Sequence, residues 1–105
     1  MIEGLDEEQR QIVSAILRRH APERAVWAFG SRVNGRAKPY SDLDLVILGD
    51  EPLAPQAMAL LREACSDSPL PFKIDLAEWA TLGDTFRKII LDRYEVLLEP
   101  DPGAR

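Results

Sequence analysis

Apolar residues recur along this chain with two periods, and the change from one to the other marks its elements. Leu5, Ile12, Val13, Ile16 and Leu17 fall on one side of a 3.6-residue repeat, so residues 6–20 are predicted helical. Asp6 with Gln9 three positions later forms a capping-box signature. Acidic Glu7 and Glu8 open the segment and Arg18, Arg19 and His20 close it, each charge suited to its end of the helix dipole. Pro22 stops it. Residues 25–29 (Ala-Val-Trp-Ala-Phe) then read as a short buried strand, with Trp27 and Phe29 expected in the core. A stretch punctuated by glycine and proline follows, and a second strand is predicted over 42–48, closed by a turn at 49–52. Residues 55–66 return to the helical period, with Met58, Leu60, Leu61, Ala64 and Cys65 on the inner side and Pro55 favourably placed at the first position. A third strand is expected over 72–76, extending toward Trp79. Thr81 is read as the cap of a third helix running to Arg93, with Phe86, Ile89 and Ile90 inward. Tyr94, Val96 and Leu98 alternate with Glu95, Leu97 and Glu99, which predicts a short last strand. The tail, 100–105, is expected to fray.

This order of elements predicts an α+β domain: a small mixed β-sheet flanked by helices, with both parallel and antiparallel pairing allowed by the connection lengths. The 105 residues suit one domain, spanning 1–105. Apolar residues make up 46% and charged residues 30%, a globular balance. No apolar run approaches the ~20 residues that span a bilayer, and the N-terminus shows no signal-peptide pattern. The lone Cys65 rules out an internal disulfide and points to a reducing cytoplasm. The net charge of −5 argues against a domain whose main task is gripping nucleic acid.

Two features are hard to explain by packing. Asp42 and Asp44 open an otherwise apolar strand, two residues apart and therefore on one face. Aspartate is depleted in strands, and side-by-side carboxylates repel unless something compensates. Mg2+, held by one or two carboxylates plus phosphate oxygens, does so. Asp75 lies among apolar neighbours on the third predicted strand. If that strand pairs beside the second, three carboxylates converge, a cluster able to hold two metal ions, and Asp75 is in addition a candidate to take the proton from an incoming hydroxyl. The second feature is Gly30-Ser31, directly after an apolar strand. Glycine lets backbone approach an anion, and N–H groups at a helical turn, with the Ser31 hydroxyl, bind phosphate. Arg32 and Arg36 are candidates to neutralise a triphosphate, Arg32 by bidentate contacts, with Lys38 behind them.

Gly30-Ser31, ten residues, then Asp42-Leu43-Asp44 resembles the signature of the DNA polymerase beta nucleotidyltransferase superfamily. The fuller string, with Arg32, Gly35, Ser41 and Leu45, is similar to the minimal nucleotidyltransferases of prokaryotes. The resemblance implies that Ser31 contacts the triphosphate, that Asp42 and Asp44 bind Mg2+, and that Asp75 stands where the family's third, more variable carboxylate lies. It also implies ATP or another nucleoside triphosphate as substrate. Small members of this family often accompany a helical HEPN-type partner and act as its antitoxin, some by moving AMP from ATP to a tyrosine of that toxin. Larger members carry a second domain for the acceptor. Here the acceptor must come from elsewhere, or a homodimer must supply the missing wall.

Three other readings compete. The chain could neutralise a partner by docking alone. It could modify a small molecule, although it lacks the second domain that such transferases use. A phosphoacceptor receiver domain also clusters aspartates around Mg2+, but its doubly wound sheet needs more βα repeats than this chain supplies. Beyond the site, His20 reads as a charge at a helix end and Cys65 as a small core residue. Trp79 and Tyr94 could face a partner or a base, and Arg87, Lys88 and Arg93 read as a solvated helix face.

Overall fold

A computed structural model of the chain describes residues 2–100. Helix α1 (Glu7–His20) is capped by Asp6, whose side chain accepts from the Gln9 N–H while the Gln9 side chain accepts from the Asp6 N–H. Strand β1 (Val26–Phe29) runs into a 3-10 turn (Gly30–Arg32), and a loop leads to β2 (Leu43–Ile47). Helix α2 (Pro55–Ser66) crosses over to β3 (Ile74–Glu78). A second 3-10 turn (Trp79–Thr81), helix α3 (Asp84–Asp92) and β4 (Glu95–Leu98) complete the order.

The four strands form one mixed sheet in the order β3-β2-β1-β4. β1 pairs antiparallel with both β2 and β4, whereas β2 and β3 are parallel, as the α2 crossover requires. The α+β expectation therefore holds. Alternation along the strands gives the sheet two faces. Val26, Ala28, Leu43, Leu45, Ile47 and Leu76 point to one face, where Val13 and Leu17 of α1 and Met58 and Leu61 of α2 close the main core. Trp27, Phe29, Asp44 and Val46 alternate with them and belong to the second face. There Phe29 meets Phe86 of α3 edge-on, and Trp27 stacks on Tyr94 at 4.1 Å between ring centroids. Arg87 joins α3 to the 3-10 turn through two hydrogen bonds to the Trp79 carbonyl, 3.1 and 2.8 Å.

Several sequence expectations need correction. Trp27 and Phe29 are only half-buried, because the face they join is covered by one short helix. That helix begins at Asp84 with Gly83 as its cap, not at Thr81; the Thr81 hydroxyl instead donates to the Glu78 carbonyl at 3.0 Å. Ile90 is fully buried, but Phe86 and Ile89 are 44% and 62% exposed, so α3 turns part of its apolar side outward. Leu60 of α2 is likewise exposed. In β4 a register shift against Val26 and Trp27 buries Leu97 and Leu98 together and leaves Tyr94 and Val96 exposed, which breaks the simple alternation. Residues 101–105 of the tail expected to fray lie outside the described residues. Among the described residues no helix is long and apolar enough to cross a membrane.

Candidate active site

The carboxylates gather where β1, β2 and β3 meet. Asp44 is directly in register with Phe29 of β1 on one side and with Asp75 of β3 on the other. Neighbouring strands lie about 4.8 Å apart, so Asp44 and Asp75 stand side by side on the second face. Asp42 immediately precedes β2 and is exposed. The Asp44 carboxyl is pushed above its ordinary value, first by burial and then by the charges of Asp75 and Asp42. The all-oxygen donor set suits a hard cation. Among the described residues no group of three His, Cys, Asp or Glu side chains is placed close enough together to hold a metal ion by itself.

The Gly30-Ser31 turn lies against this cluster. Gly30 has a φ of +78°, and a Cβ placed on it would fall inside the envelope of Asp44 Oδ2. The turn therefore reaches the carboxylate only because position 30 carries no side chain. Val33 and Asn34 both donate backbone N–H groups to the Gly30 carbonyl, at 3.0 and 3.1 Å, which holds the turn closed. Ser31 is half-buried, and its hydroxyl makes no hydrogen bond among the described residues. Arg36 is exposed on the following loop, where its backbone N–H reaches the Ser31 carbonyl and Asn34 Oδ1.

Arg32 departs from expectation. It is 2% exposed. Its Nε and Nη2 donate to the Ser41 carbonyl at 3.0 and 2.8 Å, its Nη1 donates to the Glu3 carbonyl at 3.0 Å, and its guanidinium lies 4.3 Å from the centre of the Phe72 ring. The fork is used up by protein groups and is not available to a triphosphate. It acts as a brace instead, fixing the residue before Asp42 and the segment that leads into β3.

Beside the turn opens a cleft of about 590 Å³, lined by Phe29, Gly30, Asn34, Phe86, Ile89, Asp92 and Arg93. Arg93, Asn34 and Phe86 escaped the sequence reading as site residues. Arg93 reads with Arg87 and Lys88 as a solvated helix face, whereas the fold sets it at the end of α3 on the same cleft as Gly30.

Comparison with known proteins identifies the family. The family model described as "Polymerase beta, Nucleotidyltransferase" matches residues 11–103. The chain is 50% identical over 94 residues to a probable protein adenylyltransferase MntA of Haemophilus influenzae, covering 90% of this chain and 82% of that protein. Its fold resembles a chain in the crystal structure of a toxin–antitoxin with AMP-PNP, with a TM-score of 0.71 and 21% identity over 86% of this chain and 73% of that one. It also resembles a chain in the complex of a tri-AMPylated Shewanella oneidensis HEPN toxin with an MNT antitoxin, with a TM-score of 0.61 and 21% identity over 86% of this chain and 72% of that one. The family model spans most of the chain and the relative is half-identical over nearly all of it, so the chain belongs to the polymerase beta nucleotidyltransferase family.

Proposed function

We propose that this nucleotidyltransferase moves AMP from ATP to a hydroxyl group on a partner protein and serves as the antitoxin to a HEPN-type toxin. The observation that carries the chemistry is the contact geometry of Gly30, Asp44 and Asp75, which sets a phosphate-accepting turn against paired carboxylates. Support for the acceptor class comes from the half-identical relative, a probable protein adenylyltransferase.

In this reading Asp42, Asp44 and Asp75 hold Mg2+, which when bound screens the triphosphate charge and lowers the pKa of an attacking hydroxyl. The Ser31 hydroxyl and the N–H groups of its turn bind the phosphates. Arg36 and Arg93 offset the remaining negative charge from either side. Phe29, Phe86 and Ile89 form the apolar wall against which a nucleobase lies. Asp75, the most open of the paired carboxylates, takes the proton of the incoming hydroxyl. The hydroxyl oxygen forms its bond to the α-phosphorus as the bond to the β-phosphate oxygen breaks, and pyrophosphate leaves.

The test is incubation of the chain with ATP, Mg2+ and the protein encoded next to it, followed by intact-mass measurement. The expected result is one or more increments of an adenylyl group on the partner, lost in Asp42→Asn with Asp44→Asn. An unmodified partner, with each common triphosphate tried, counts against the reading.

Docking without chemistry has one observation in its favour. Phe86, Ile89, Leu91, Tyr94 and Val96 are large, apolar and exposed on α3, β4 and the link between them, as a surface awaiting a partner would be. The double aspartate variant separates the two. If it protects cells from the toxin as well as wild type does, docking suffices.

A further inference from the structure

The proposed reaction leaves open how a protein hydroxyl reaches Asp75, and the sheet supplies a route. β3 is an edge strand. The Leu43 N–H donates to the Lys73 carbonyl at 2.9 Å, and with Leu43 in register with Ile74 this fixes which backbone groups of β3 face inward. Those of 73, 75 and 77 turn toward β2, and those of Ile74 and Leu76 turn toward the open edge. Among the described residues nothing hydrogen-bonds to that outer side. A cavity of about 370 Å³ lies along the same edge, between the end of α2 and β3, and its lining includes Arg62, Lys73, Ile74, Asp75 and Leu76. Among the described residues neither Arg62 nor Lys73 is paired with a carboxylate.

We infer that the acceptor docks as an extended segment added to the outer edge of β3, with its hydroxyl-bearing residue opposite Asp75 and acidic neighbours met by Arg62 and Lys73. This rests on the nucleotidyltransferase reading and specifies its acceptor side. An added strand would bond to the backbone of Ile74 and Leu76. Its residue opposite position 75 would then project on the same face as Asp75, with Cβ atoms about 4.5–5.5 Å apart. Main-chain bonding makes docking tolerant of sequence, and the two unpaired cations bias it toward acidic segments despite the net charge of the chain. The opposite edge, β4, cannot serve: β1 and β2 separate it from β3, roughly 14 Å in all.

Hydrogen–deuterium exchange on the whole protein tests this with two synthetic twelve-residue peptides, one with Glu on both sides of a central Tyr and one with Lys there. With the acidic peptide at saturation, exchange at the Ile74 and Leu76 amides is expected to slow at least tenfold. The lysine peptide is expected to leave it unchanged. Arg62→Glu with Lys73→Glu should raise KM for the acidic peptide about tenfold without altering KM for ATP. Arg18→Glu with Arg19→Glu, the same charge change on α1, should alter neither. Absence of protection at 74 and 76 overturns the proposal, as does equal protection by the lysine peptide or by an oligouridine strand. Failure of the underlying reading shows separately: wild type would then gain no thermal stability from ATP with Mg2+, whatever the peptides do.

Discussion

Gly30 and Asp44 compete for the same space, and position 30 resolves the conflict by having no side chain. Gly30→Ala would both force an L-residue to a φ of +78° and push a methyl group into Asp44 Oδ2. The left-handed backbone alone costs roughly 1–2 kcal/mol, and the displaced carboxylate should remove activity as well. Gly35→Ala is the matched control. Its φ is +80° but a Cβ there meets nothing within 4 Å, so denaturant melts should show a similar strain cost while transfer continues. Asp44 makes a second prediction. Its pKa is raised in the folded protein, so the metal-free fold binds that proton more tightly than the unfolded chain does. Stability is therefore unaffected below the ordinary value of 3.8 and falls as pH rises from there through the raised value. Asp44→Asn should make the metal-free protein more stable at neutral pH, by less than about 1 kcal/mol because the group is largely solvent-screened. It should also flatten the dependence of Tm on pH above 4 and abolish transfer. A Tm for Asp44→Asn below that of wild type at pH 7 would contradict this account.

Arg32 shows what pattern and motif reading can and cannot recover at the level of elements. All four strands and three main helices were legible, because hydrophobic period, the Asp6 capping box and the proline stops are local signals. Asp42, Asp44 and Asp75 stood out for a related reason, as charges where apolar residues belong. Arg32 was misread because a buried guanidinium and a phosphate-binding one look the same in sequence; only the fold shows that Ser41, Glu3 and Phe72 converge on it. The outward turn of Phe86 and Ile89 was hidden for the converse reason, since apolar periodicity marks a helix face without saying whether this chain covers it. The brace predicts that Arg32→Ala strips partners from two carbonyls and opens space beside Phe72, costing about 2–4 kcal/mol in denaturant unfolding. Arg32→Lys should recover little of that, because an ammonium cannot span the same fork. If Arg32 were instead a phosphate ligand, Arg32→Ala would weaken ATP binding and leave stability almost unchanged.

Taken whole, the molecule is covered on one side and open on the other. Helices α1 and α2 close the main core, while α3 leaves Phe86 and Ile89 partly in solvent at the cleft. Ile89→Glu should leave Tm nearly unchanged, since a surface substitution is usually worth within about 0.5 kcal/mol, yet raise KM for ATP several-fold, because Ile89 belongs to the proposed wall for the nucleobase. The parallel pairing of β2 with β3 has a further consequence. Asp42 and Asp44 leave the ribosome early, but Asp75 joins them only after the α2 crossover has folded back and β3 has zipped onto its neighbour. A nascent or truncated chain that stops short of β3 would carry the glycine turn and two of the three acids but lack the proposed base. On the proposed roles, transfer therefore waits for the crossover to close and for β3 to join the sheet.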